Sequence, residues 1–145
     1  MRKWALTLAA TAMSVSFMAA PSFAKEPLKI GFLATLEGTY TILGEDSKRG
    51  FDLAMKQIGH KIAGRDVEIY IGATDASPES ALRAARKAVE QDKVDIIVGP
   101  LSGSEGIALR DYSKTQPQVT FINGISGAQE TTLVDPSENF FRFNM

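Results

Sequence analysis

Val94-Asp95-Ile96-Ile97-Val98-Gly99-Pro100-Leu101-Ser102-Gly103-Ser104-Glu105-Gly106 decides the fold class. A short apolar run, Val94–Val98, reads as a buried strand. It gives way to a turn rich in glycine and serine. A weaker helical pattern then continues to about Thr115, and Pro117 prevents its extension. A strand that empties through a small-residue turn into a helix is one repeat of an α/β layered fold.

The same order recurs on both sides. Upstream, Leu28–Ala34 is a short apolar strand, and a polar loop with glycine follows over residues 35–40. From Gly44 to Ile58, Phe51, Ala54, Met55 and Ile58 recur at helical spacing, and Gly59 supplies a stop. Val67–Ile71 alternates apolar with polar, which predicts a strand near a sheet edge. Ser77, Pro78 and Glu79 then form a helix start: a capping hydroxyl, a pre-set φ and an acid at the positive end of the dipole. That helix is predicted to run to about Gln91 with Ala81, Leu82, Ala85, Ala88 and Val89 inward. Downstream, Val119–Asn123 is a further strand leading into Gly124-Ile125-Ser126-Gly127, and residues 140–143 read as a last extended segment. Alternating strands and helices predict a doubly wound, mainly parallel sheet with helices on both faces.

Composition limits the function. The chain has 145 residues, 16 Lys+Arg, 17 Asp+Glu and a net charge of −1. A cationic surplus for nucleic acid is missing. There is no cysteine, so disulfides, iron–sulfur clusters and thiol catalysis are excluded and His60 is left as the one soft metal ligand. No metal or other cofactor is expected. Residues 1–24 are different: Arg2 and Lys3, an apolar stretch from Trp4 to Ala20, then Pro21-Ser22-Phe23-Ala24. This is the order of a secretory signal peptide with cleavage after Ala24. The run is short and alanine-rich for a membrane anchor, and without a following cysteine it is not a lipoprotein signal. Without Arg2 and Lys3 the remainder carries about −3 and would work outside the cytoplasm.

In an open parallel sheet, ligands bind beyond the carboxyl ends of the strands. Residues 35–40, 99–106 and 124–127 are rich in Gly, Ser and Thr at three such ends. Their amides and hydroxyls, with helix starts close by, suit a small carboxylate. Neither nucleotide-binding glycine pattern is present. Gly124-Ile125-Ser126-Gly127-Ala128 falls one residue short of the hydrolase G-x-S-x-G, and the base it would need is missing, because His60 lies at the wrong end of the sheet. Glu37 and Glu105 are a conceivable acid–base pair, and Glu105 is equally a helix-start residue.

Lys29-Ile30-Gly31-Phe32-Leu33, Leu43-Gly44, Gly50-Phe51-Asp52-Leu53-Ala54, Ile62-Ala63-Gly64-Arg65-Asp66-Val67-Glu68, Asp75-Ala76-Ser77-Pro78 and Val94–Pro100, in this order, resemble type I periplasmic solute-binding proteins. The likeness is to the branched-chain amino-acid (Leu/Ile/Val) binding group of ABC importers, over residues 28–143. It implies a two-lobed, non-enzymatic, monomeric receptor that closes on its ligand and delivers it to a membrane permease. Residues 25–145 would form the N-terminal part of the first lobe, ending near the crossover at Arg142-Phe143. It also implies that Ser102, Gly103 and Ser104, then Ile125, Ser126 and Gly127, hold the ligand's charged groups, with Tyr40 and Leu43 closing one side. Leu43 stands where the group often has an aromatic residue, and Ala76 and Ser102 stand where some members have cysteines. These departures widen the expected ligands from branched-chain amino acids to aromatic acids, amides or urea, with Tyr40 placed to stack on a ring. The remaining alternatives are a sensory ligand-binding domain and an exported α/β hydrolase using Ser126.

Overall fold

The computed structural model describes residues 25–144. The signal-peptide reading of residues 1–24 lies outside them. In chain order the elements are β1 (Leu28–Thr35), α1 (Thr41–Gln57), β2 (Lys61–Ile62), β3 (Arg65–Thr74), α2 (Pro78–Arg86), β4 (Ile96–Val98), α3 (Gly103–Ser113), β5 (Thr120–Asn123) and β6 (Phe140–Arg142). A π-turn, Lys87–Gln91, extends α2, and a 3-10 turn spans Gln129–Thr131. The sheet order is β2-β3-β1-β4-β5-β6. All neighbours are parallel except β2 and β3.

Register sorts the side chains onto two faces. Leu33, Ile97, Phe121 and Phe140 join Ala81, Ala85, Leu109 and Tyr112 of α2 and α3 in one core. Phe32 points the other way and stacks on Phe51 of α1, with ring centroids 4.3 Å apart. The sheet is therefore wound on both faces, as the alternating pattern predicts. The α2 start also matches its prediction: Ser77 Oγ accepts the Ser80 N–H, and Pro78 opens the helix.

Three local expectations need correction. The first helix begins at Thr41, so Gly44 lies in its first turn; the Thr41 hydroxyl donates to Gly38 O at 2.7 Å and closes the loop early. Of its predicted inward stripe, Met55 is buried and Phe51 partly so, but Ala54 and Ile58 are exposed. The helix packs chiefly on β1, and one strand is too narrow to cover the whole stripe. The short strand β2 has no counterpart in the sequence reading. It pairs with β3 through a two-residue turn, Ala63-Gly64, in which both residues have positive φ. Two residues carry too little alternation to register as a strand.

Candidate functional site

Every parallel strand delivers its carboxyl end to the same rim. Glu37 N–H donates to Thr74 O, joining the loop after β1 to the end of β3. Ser102 Oγ donates to Ala76 O at 3.0 Å, joining the turns after β3 and β4. Ile125 N–H donates to Pro100 O at 3.1 Å, joining the turns after β4 and β5. The three small-residue turns thus form one continuous edge.

A cavity of about 360 Å³ opens at this edge. Phe32, Ala34, Val98, Pro100, Ile125 and Phe143 give it an apolar wall, and Thr35, Ser47 and Asn144 are the polar residues of its lining. Its shape depends on Gly44: a Cβ there would lie 1.8 Å from Thr35 O. The start of α1 therefore packs directly on the end of β1.

The rim's hydrogen-bonding capacity is partly spent on itself. Ser102 caps α3: its hydroxyl accepts the Glu105 N–H, and Glu105 Oε2 accepts the Ser102 N–H at 2.9 Å. This reciprocal box satisfies two amides of the helix start. It leaves Gly103 and Ser104, whose amides have no partner within the helix. Ser104 is exposed, and its hydroxyl lies 3.3 Å from Ser102 Oγ. In the turn after β5, the amides of Ile125 and Ser126 are both directed at Pro100 O, while Gly127 is exposed.

The predicted site residues accordingly separate. Ile125 lines the cavity. Gly103 and Ser104, at the start of α3, and Gly127, in the turn after β5, stand on the same rim and do not line the cavity. Tyr40 and Leu43, 53% and 46% exposed, flank the rim at the start of α1 and do not line the cavity. Two of the predicted hydroxyls are engaged or enclosed by the protein itself. The Ser102 hydroxyl is committed to the helix cap and to Ala76 O. The Ser126 hydroxyl is buried against Gly106, because the turn folds back over Pro100. Glu105 is a capping residue buried in α3, and Glu37 is exposed, so the two do not make an acid–base pair. His60 is exposed beside β2, at the opposite end of the sheet.

Phe143 and Asn144 belong to the site and were not foreseen. Because β6 runs parallel to β5, its carboxyl end reaches the same rim, and Asn144 Nδ2 donates to Ile125 O at 2.6 Å. The polar–apolar pattern of residues 140–144 signals a strand but not its direction.

Upstream of the rim, Ser77 and Ser80 hydroxyls and the Ser77 N–H hold the Asp75 carboxyl well below the usual carboxylate range. This fixes the turn after β3 against which Ser102 leans. Among the described residues, no three His, Cys, Asp or Glu side chains gather to hold a metal. No helix among them is long and apolar enough to cross a membrane.

A family model described as periplasmic binding protein matches residues 27–145. The chain belongs to the periplasmic binding protein family. Leu/Ile/Val-binding protein homolog 6 of Brucella abortus is 27% identical to this periplasmic binding protein over 93 residues, covering 63% of this chain and 24% of that one. An ABC transporter substrate-binding protein from Sphaerobacter thermophilus superposes with a TM-score of 0.73 at 35% identity, over 80% of this chain and 32% of that one. An ABC transporter solute-binding protein from Rhodopseudomonas palustris, solved with benzoate, gives 0.74 at 27% identity over the same shares. This chain therefore spans about a quarter of the curated relative and about a third of the solved ones. Its fold is that of part of a type I periplasmic binding protein lobe, and family and fold are those of solute-binding proteins.

Proposed function

We propose that this periplasmic binding protein is part of an extracytoplasmic receptor that captures a small carboxylate with an apolar body and passes it to an ABC permease. The observation that carries the reading is an apolar cavity at the carboxyl ends of the parallel strands, on the same rim as the first turn of α3, where the Gly103 and Ser104 amides have no partner within the helix. A carboxylate suits the positive end of α3, and a hydrocarbon or ring suits the wall of Phe32, Pro100 and Ile125. Tyr40 and Leu43 stand where a second lobe would close over them. The benzoate held by the Rhodopseudomonas relative and the Leu/Ile/Val name of the Brucella relative both describe ligands of this kind.

Residues 25–145 then form the N-terminal portion of one lobe. The relatives' greater length supports a second lobe supplied by further chain. Closure between lobes would complete the pocket. Residues 1–24 would act as a cleaved signal peptide delivering a monomeric receptor to the periplasm. The burial of Ser126 and the position of His60 at the opposite end of the sheet support a role in binding without serine-hydrolase catalysis. Transport is favoured over sensing by the transporter names of the relatives.

A thermal-shift and calorimetric screen of the full-length protein tests this. Benzoate, hydroxylated benzoates, leucine and isoleucine should include at least one ligand that raises Tm and binds with micromolar affinity. Binding confined to amides, sugars or cations, with none of these carboxylates active, refutes it.

A further inference from the structure

We infer that Glu105, Asn123 and Ser126 together hold one internal water that pins the first turn of α3 to the turn after β5. The inward face of α3 carries Glu105, Leu109 and Tyr112, all buried. Tyr112 meets Phe121 edge-on, with centroids 6.1 Å apart. In β5, Asn123 follows Phe121 on the same face, nearer the rim. Glu105 precedes Tyr112 on α3 and lies on the rim side of it, as Asn123 lies on the rim side of Phe121.

Ser126 belongs to the same place. Asn123 Nδ2 donates to Ser126 O at 2.8 Å. A Cβ on Gly106 would lie 2.4 Å from Ser126 Oγ, so the bare glycine is what lets α3 and the turn close on each other.

Glu105, Asn123 and Ser126 are 0%, 0% and 1% exposed. Glu105 Oε1, Asn123 Oδ1 and Ser126 Oγ have no hydrogen-bond partner among the described residues. Glu105 Oε2 and Asn123 Nδ2 are already engaged elsewhere. An amide oxygen only accepts, an ionised carboxylate oxygen likewise only accepts, and a hydroxyl can donate. A direct Ser126–Glu105 bond would leave the Asn123 oxygen bare, and a Ser126–Asn123 bond would strand Glu105. One water satisfies all three: it donates to Glu105 Oε1 and Asn123 Oδ1 and accepts from Ser126 Oγ. Buried polar groups are regularly satisfied in this way.

The tie has a functional side that rests on the capture reading. Gly103 and Ser104 stand on one of the pinned turns and Gly127 on the other. The water thus fixes the spacing of the donors proposed to receive the carboxylate, and Glu105 is a positioning residue.

The test uses the full-length protein without ligand. A crystal structure with ordered solvent should contain one water within hydrogen-bond reach of all three oxygens. Glu105→Gln and Ser126→Ala should act non-additively on the unfolding constant, by about fivefold or more, since the solvent molecule links the two side chains. Additive effects, or a direct bond between any two of the three oxygens, overturn the inference. If no carboxylate binds the wild-type protein, the capture reading fails, while solvent density and coupling still decide the water. If benzoate binds, Ser126→Ala should weaken it at least threefold, and an unchanged affinity overturns the positioning role.

Discussion

Gly44 lies directly against the backbone carbonyl of Thr35, and a Cβ at that position would approach its oxygen to 1.8 Å. The contact joins the first turn of α1 to the end of the central strand. Backbone cannot yield as a flexible side chain does, so α1 would have to lift. Gly44→Ala is expected to cost about 3 kcal/mol or to prevent accumulation of folded protein. Urea denaturation of the full-length chain measures this, and a loss under about 1 kcal/mol would mean the helix start can move freely.

Two neighbouring serines should behave oppositely. Ser102→Ala removes a helix cap and the bond to Ala76 O, and is expected to destabilise by about 1–2 kcal/mol. Ser104→Ala touches an exposed hydroxyl, so stability should change by less than about 0.5 kcal/mol. On the capture reading, that same variant weakens carboxylate binding about fivefold, the effect of one hydrogen bond. Paired melting curves and calorimetric titrations with benzoate separate the two.

The turn after β3 should carry an acid-sensitive share of stability. Ser77 and Ser80 lower the Asp75 carboxyl from its ordinary value of 3.8. A depressed carboxylate contributes stability above its unfolded value, and the contribution disappears as pH falls through the folded one. At pH 7 wild type should therefore exceed Asp75→Asn in urea midpoint, and the gap should narrow below about pH 4. A gap that widens in acid contradicts the assignment.

Tyr112 gives a signal at the alkaline end. Burial, followed by the nearby Glu90 carboxyl that its hydroxyl also contacts, pushes the phenol up to about 12. A raised value means this contribution is complete below about pH 10 and is lost as pH rises through the folded value. Ultraviolet titration of folded protein should contain a late phenolate phase near pH 12, absent from Tyr112→Phe. If that variant keeps the phase, Tyr112 is not its source.

The sheet was legible because each buried strand is a run of aliphatic residues between turn formers, and because Ser77-Pro78-Glu79 states a helix start chemically. The rim was legible as a consequence of topology: parallel strands must empty on one side. Side-chain direction within the turns was not. Whether Ser126 points to solvent or to Gly106 depends on Pro100 O drawing two successive amides inward, a contact 26 residues away in the chain for Ser126. Ser102 could be read as a ligand hydroxyl or as a cap, and its spacing to Glu105 favours the cap. The place of Phe143 and Asn144 on the rim was not legible because the direction of β6 is decided by pairing with β5.

Sheet order has a consequence for biosynthesis. The earliest of the described strands, β1, ends up in the middle, hydrogen-bonded to β3 on one side and β4 on the other. As the chain emerges amino-end first, one margin of that strand stays open until Val98 has appeared, because β4 is the later made of its two partners. The emerging polypeptide therefore passes through a long interval in which its most apolar ribbon can pair with a stranger, and a holding chaperone would be most useful during that interval.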